Sequence, residues 1–427
     1  SSIAGDNYVS KDEYATNGFN VVGLTLGANS QTVTVGYGGA TSTCTASANA
    51  YSCAFTPGVL AAANSGSGVS DNTFDVTADV DDAAGNSAPQ AELQATQDTV
   101  DPTMTITSST VVSGADTATA AIVFTFTASQ ATTNFVIGDI TESGCDLSAF
   151  GAIGGSTTAY AATCTASGGD GAKTVLVAAE AFTDAAANGN GAASNTYSWT
   201  YDSTGPTMVI TSNTVVSGAT TGTAAVVLIL TSNEATTDFA IGDVTATGGD
   251  SCTKSDWTTG SSTVYGVTCT PDDSGDAPQV SVAAETFTDA LDNDNSVSNT
   301  FTWTYDGTGP TMTITSNTVA SGATTATAAV VLIYTSNEVT ANFALVDITE
   351  TGCSGDSFTT AGNSLVYGST CTIAADGAAS VSVAAGTFND ASGNDNTVSN
   401  TYSWTQDDTG PTMTITSNTV ASGATTA

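Results

Sequence analysis

Acidic and amide side chains recur in this sequence at spacings that suit a hard cation. The stretch TDALDNDN supplies Asp289, Asp292, Asn293, Asp294 and Asn295, and its counterpart NDASGNDN supplies Asp390, Asn394 and Asp395. Earlier in the same repeats stand Glu234, with Asp238, and Glu338; just before each repeat stand Asp202 and Asp306. Carboxylates brought together repel one another unless a positive charge sits among them. Ca²⁺ takes six to eight oxygens from carboxylates, amides and carbonyls, so two calcium sites are expected. One uses Asp202, Glu234, Asp289 and Asn293; the other uses Asp306, Glu338, Asp390 and Asn394. An upstream repeat offers a shorter set, Asp184 and Asn188 with Asn190, and has Gln130 in place of the Glu. The N-terminal region offers Asp82 and Asn86, with Asp6, Asp12 and Glu13 near its start. The alternative reading is that Asp-x-x-x-Asn caps a turn through side-chain to backbone bonds, with solvated charges around it.

The elements that must position these groups are strands. IVFTFTASQATTNFVIGDI from Ile122 returns as VVLILTSNEATTDFAIGDV from Val226 and VVLIYTSNEVTANFALVDI from Val330, a period of 104 residues. A period near a hundred residues is one domain per repeat. Boundaries fall at the TGPT linkers and their DPT counterpart: residues 1–98, 102–202, 206–306 and 310–408, with a further segment at 411–427. In the third repeat the expected strands are A (207–212), B (224–232), C (238–247), D (around 252–257), E (263–270), F (278–287) and G (299–306). Period-2 alternation marks them, and Gly, Asn, Asp and Ser clusters separate them. No stretch has a helical period. Seven short strands in about a hundred residues predict an all-β chain of tandem immunoglobulin-like β-sandwiches. Alternating strand directions then bring the B–C loop, the F–G loop and the incoming linker to one end of each sandwich, where the acidic sets meet. Trp199, Trp303 and Trp404 share the phase of the aromatic two residues before them and read as core. Trp257 lies among polar residues of strand D and reads as exposed.

Charge and composition exclude several functions. Among 427 residues there are 41 Asp and Glu, no His, and three cations, Lys11, Lys173 and Lys254, for a net charge of −38. Nucleic-acid binding lacks its cations, His-dependent catalytic sites and His-ligated zinc lack their imidazole, and an anionic membrane surface would repel the chain. The composition is nevertheless 40% hydrophobic and only 10% charged, which suits a folded β chain. The eight cysteines fall two per repeat. The even count and repeating spacing, with no CxxC, predict disulfides Cys44–Cys53, Cys145–Cys164, Cys252–Cys269 and Cys353–Cys371, and with them an extracellular, secreted or cell-surface location.

The pairings TSNEATTDFAIGDV with VSVAAETFTDALDNDN, and TSNEVTANFALVDI with VSVAAGTFNDASGNDN, resemble the bacterial Ig-like domains of large surface proteins and adhesins. The resemblance covers residues 102–408. The first repeat is similar to a sister type, through IAGDNYVSKDEYATNGFNVVGLTLGANSQTVTV and DVDDAAGNSA. What the resemblance implies is a scaffold and not a reaction, with calcium between domains stiffening the array into an extended rod. The disulfides depart from the family pattern.

Two functions are consistent with this reading, neither of them enzymatic. One is the structural subunit of an extracellular filament or stalk; the alternative is the spacer of a cell-surface adhesin whose binding tip lies outside this sequence. GPTMTITSNTVASGATTA from Gly410 reads as strand A of a further repeat, while the first repeat lacks a recognisable strand A. The array therefore continues in a longer chain, or copies join head to tail by strand donation.

Overall fold

The computed structural model describes residues 2–3, 7–63, 72–248, 252–360, 362, 365–416, 418 and 423. It divides into two compact units, Ser1–Thr204 and Gly205–Ala427, each holding two β-sandwiches. Asp6 and part of 411–427 lie outside the described residues.

Alternation builds the sandwiches. In the third, strand B (Val226–Ser232) buries Val226, Leu228 and Leu230 completely while Val227 is 46% exposed. Strand A (Met208–Ser212) pairs with B, B with E (Val264–Pro271), and E with D (Cys252–Thr259). The facing sheet holds C (Val244–Thr247), F (Gln279–Val282) and G (Phe301–Tyr305). A short strand not expected from the sequence, A′ (Ala219–Thr221), runs parallel to G and completes that sheet. The second and fourth sandwiches repeat this order. Trp199, Trp303 and Trp404 are buried between the sheets, as expected. Each fully buried Val or Leu contributes about 1.5–3 kcal/mol.

Strands C and F are shorter than their sequences suggest. The first half of the expected strand C is instead a 3₁₀ turn, Ile241–Asp243, where Asp243 Oδ2 accepts the Ala240 N–H (2.8 Å). Strand D carries a bulge in all three later sandwiches, at Ala149, Asp256 and Ser357, each with positive φ. An extra residue flips the side-chain alternation. The bulge turns the following aromatic onto the core: Phe150, Trp257 and Phe358 stack on Tyr160, Tyr265 and Tyr367. Trp257 is therefore half-buried, with an aromatic counterpart in each of these repeats, and is not the exposed residue expected.

Strand A of each later sandwich is fastened by an Asn just before strand G. Asn299 Oδ1 accepts the Ile210 N–H (2.7 Å) and its Nδ2 donates to Ile210 O (3.0 Å). Asn195 does the same to Ile106, and Asn400 to Ile314. The amide imitates a paired backbone residue.

The first sandwich differs in three ways. Its strand A is present but reduced to Ser2–Ile3, paired with Val22 and Val21 of strand B (Phe19–Leu24). The strand after C (Thr32–Tyr37) is Ala40–Thr45; it pairs with C and not with E (Ala50–Phe55). An α-helix, Pro57–Ala63, follows E, contrary to the all-strand expectation. All four expected disulfides form. In the later sandwiches they join the D and E segments of one sheet, whereas Cys44–Cys53 links strands of opposite sheets. Residues 411–416 form no strand, and Met413 and Ile415 are exposed. No helix among the described residues is long and apolar enough to cross a membrane.

Candidate metal centre

The F–G loop of every sandwich folds around its Asp-x-x-x-Asn pair. Asp390 Oδ1 accepts the Asn394 N–H (2.8 Å) and Oδ2 accepts Asn394 Nδ2 (2.9 Å). Asp82 with Asn86, Asp184 with Asn188, and Asp289 with Asn293 repeat both bonds. The turn-capping role is thus present in all four loops. The third amide behaves differently from the loop ligand the sequence suggested. Asn190, Asn295 and Asn396 are buried; Asn396 Oδ1 accepts the N–H groups of Thr387 and Phe388, and its Nδ2 donates to Ala384 O and Thr397 O. These amides tie the loop to the end of strand F and take no part in the acidic set.

In the second unit, the loop cap is joined by two further carboxylates. Asp306 ends strand G of the third sandwich (Phe301–Tyr305), and its N–H bonds to Thr221 O at the end of A′ (3.0 Å). Glu338 comes from the B–C loop of the fourth sandwich and Asp390 from its F–G loop. One oxygen from each of the three lies within 4.8 Å of the others, and Asp390 is buried. Asn394 Nδ2 also donates to Asp306 O (2.6 Å), and Ser392 Oγ to Asp306 Oδ2 (3.0 Å), so the linker is held against the loop. Gly309 lies so close to Asp395 O that a Cβ would fall 1.9 Å from it; only glycine permits this approach. Burial first, and then the charges of Asp306 and Asp390, push the Glu338 carboxyl above its usual range.

No ammonium among the described residues relieves this crowding. Lys254 donates to Ile241 O and Val244 O, and Lys173 to Ser167 O and Gly169 O. Both lysines are consumed by backbone carbonyls within their own sandwiches. Three carboxylates, those of Asp306 and Asp390 already ordered by hydrogen bonds, fit a hard cation as part of an oxygen shell.

The first unit arranges the same loops otherwise. Gln130 Nε2 donates to Val100 O (3.0 Å) where the fourth sandwich has the Glu338 carboxylate. Asn188 Nδ2 donates to Asp98 O (2.9 Å), as Asn394 does to Asp306. Lys11, two residues beyond the A′ strand Tyr8–Val9, donates its backbone N–H to Asn188 Oδ1 (2.7 Å). Its ammonium pairs with Asp101 Oδ2 at 2.6 Å, the only ion pair among the described residues. Asp12 and Glu180 line the same 170 Å³ cavity. Asp12 therefore belongs at the exit of the first sandwich and not with Asp82 and Asn86, which line a separate groove with Leu24 and Leu26. Glu13 accepts the Ser10 N–H. Asp82 and Asp184 join no carboxylate trio among the described residues. Lys11 and Asp101 were missed in the sequence. The available signal was Asp101 replacing the glycine that precedes Pro206 and Pro310, with Gly189 and Gly191 replacing Asp395 and Thr397.

Asp202 ends strand G of the second sandwich, its N–H on Thr117 O (3.1 Å), and belongs to the first unit. Glu234 and Asp289 belong to the second unit; Asp289 also accepts the Leu291 N–H (2.7 Å).

Residues 98–201 match the family model of the bacterial Ig-like domain. No curated protein sequence matches the chain. Among solved structures it is similar to FdeC, an Escherichia coli adhesin: 15% identity, TM-score 0.33, covering 72% of this chain and 96% of that one. It is similar to invasin, a bacterial integrin-binding protein, at 12% identity and TM-score 0.35, covering 95% and 78%. The D00-D0 domain of intimin aligns at 18% identity and TM-score 0.19, covering 45% and 94%. The match assigns residues 98–201 to the bacterial Ig-like domain, and the strand order and sequence phrases of that domain return at 104-residue spacing in the third and fourth sandwiches.

Proposed function

We propose that the chain is a structural segment of an extracellular filament or stalk, with Ig-like domains bounded at 1–98, 102–202, 206–306 and 310–408 and stiffened by calcium. The observation that carries the proposal is the Asp306, Glu338 and Asp390 trio. It joins two sandwiches and a linker, and no lysine among the described residues forms an ion pair with it. Binding there favours one arrangement of the two sandwiches by mass action, so a flexible joint becomes a stiff one. Sequence repetition extends the proposal to Asp202, Glu234, Asp289 and Asn293. Asp184, Asn188, Asp82 and Asn86 serve as turn caps in this reading. The four disulfides and the family match support a location outside the cytoplasm. The repetition of the acidic set from domain to domain favours linkage over catalysis.

Small-angle scattering with and without a calcium chelator tests the reading. Chelation is expected to broaden the distance distribution while circular dichroism stays that of folded sandwiches. Superimposable scattering in both conditions would overturn it.

The family match also supports a second reading, the spacer of a surface adhesin whose ligand-binding tip is carried elsewhere. Negative-stain images separate the two: uniform polymers for the filament, rods with a distinct head for the spacer. Residues 411–416 carry the strand A pattern of the earlier repeats without its burial. Met413 and Ile415 are 89% and 91% exposed, whereas the matching Met312 and Ile314 are core residues. Such a face suits burial against a further sandwich, in the same polypeptide or in another copy. The mass of the native polypeptide, and polymerisation after deletion of 411–427, decide between these.

A further inference from the structure

We infer that the joint between the first and second sandwiches is latched by Lys11 and needs no metal. This rests on the calcium reading only for its contrast with the Asp306 joint; the latch itself stands on its own geometry. The two joints use the same scaffold: an Asn of the F–G loop holds the carbonyl of the residue that ends the preceding strand G. What differs is the charge. At the Asp306 joint the linker residue before proline is Gly309, pressed on the loop backbone, and the B–C loop adds Glu338. At the first joint the linker residue is Asp101, and the B–C loop adds neutral Gln130.

The substitutions compensate one another. Gly191 leaves the space that Asp101 fills, since a Cβ there would fall 2.6 Å from Asp101 Oδ2. Gly189 does the same for Glu180, at 2.2 Å from Oε2. The result is a cavity with Asp12, Asp101 and Glu180 around one ammonium. Lys11 is attached twice, by its backbone N–H to Asn188 and by its side chain to Asp101. An ammonium is a compact point charge with three donors, so it can serve several carboxylates at once. A metal there would have to displace a tethered cation already among them.

The cross-sandwich amides report each joint: the Lys11 N–H on Asn188 and the Gly222 N–H on Ser392 O. Hydrogen exchange by mass spectrometry on the full chain follows peptides 10–17 and 219–225, in calcium and after chelation. In the wild type, chelation should speed exchange at 219–225 and leave 10–17 unchanged. Lys11→Met keeps the apolar stem and removes the charge. It should speed exchange at 10–17 by about fivefold with or without calcium, the upper range for a half-exposed ion pair, and Lys11→Arg should restore protection. Peptide 19–24, in the core strand B, checks that the sandwich stays folded. If it opens as well, the Arg rescue alone carries the decision. Unchanged exchange at 10–17 in Lys11→Met, failure of Arg to rescue, or chelation opening 10–17 as much as 219–225 overturns the latch. If chelation moves neither peptide, the calcium reading falls and the latch is judged by Lys11→Met alone.

Discussion

The joint at Asp98–Pro102 and the joint at Asp306–Pro310 solve one electrostatic problem in two ways. Both press a linker onto an Asp-x-x-x-Asn loop, and both hold a backbone carbonyl with the loop Asn. The first removes a carboxylate, through Gln130, and brings in an ammonium. The other keeps three carboxylates within 4.8 Å and has no ammonium paired with them among the described residues. The difference teaches that the loop motif is a structural device first. Its Asp and Asn cap the turn in all four sandwiches, and a carboxylate trio with the spacing of a cation site arises where a B–C Glu and a linker Asp converge on it. A motif search on the F–G loop alone would therefore overcount sites.

The largest effect expected from separating fold from joint is on stability. Cys353→Ser with Cys371→Ser opens a disulfide with a sequence separation of 18. It should cost the fourth sandwich about 3 kcal/mol on the chain-entropy model. Calorimetry measures the loss, while the calcium response of peptide 219–225 should persist. If that response vanishes, the trio is a property of sandwich stability and not a site.

Next in size is the cation itself. At free calcium near a hundred times its dissociation constant, the Asp306 joint should gain about 2.7 kcal/mol. Glu338→Gln copies the first joint and should abolish most of the calcium-dependent shift in melting temperature. A shift undiminished by Glu338→Gln would remove Glu338 from the site.

The reverse exchange sharpens the comparison. Lys11→Met, Asp101→Gly and Gln130→Glu together recreate the acidic joint at Asp98. Exchange at 10–17 should then become calcium-sensitive, by a few-fold since the new shell is not tuned. A joint that stays open in calcium would show that the second sandwich lacks other required oxygens.

The smallest expected effect concerns the outgoing linkers. Asp170 accepts the Ser203 N–H (2.8 Å), with Thr204 Oγ1 on its other oxygen, and Asp376 holds Asp408 and Thr409 in the same way. The Thr204 hydroxyl, followed by the Ser203 amide, lowers the Asp170 carboxyl below its usual range. The folded state then binds fewer protons than the unfolded one. This contribution is complete above the ordinary carboxyl pKa and is lost as pH falls through the depressed one. Protection of the Ser203 amide should decline as pH falls below the ordinary carboxyl range, after correction for intrinsic rates. Asp170→Asn should remove that decline and leave Lys11 exchange unchanged.

Much of this was legible in the sequence because the signals are local or repeated. Alternating Val, Leu and Ile in strand B, the TGPT linkers and the paired cysteines need no distant information. The acidic trio was legible because strand directions alone bring its three segments to one end. Other features depend on which of many identical residues finds a distant partner. Asn195, Asn299 and Asn400 bind strand A across 86 to 89 residues, and nothing nearby distinguishes them from the exposed amides. The bulges at Ala149, Asp256 and Ser357 are one-residue register shifts, and a polar strand with one aromatic does not reveal which face that aromatic takes.

By itself, then, the chain's sequence determined the β-sandwich class, the repeat, the cysteine pairing and the absence of imidazole chemistry, since these follow from composition and from the two-residue period of a strand. Tertiary structure decided the rest. It placed the strand after C of the first sandwich on the opposite sheet, buried Asn190, Asn295 and Asn396, and set Lys11 beside Asp101 across 90 residues. The physical reason is that charge and hydrogen-bond energies depend on ångström separations between segments. A sequence records the charges of those segments but not the distances between them.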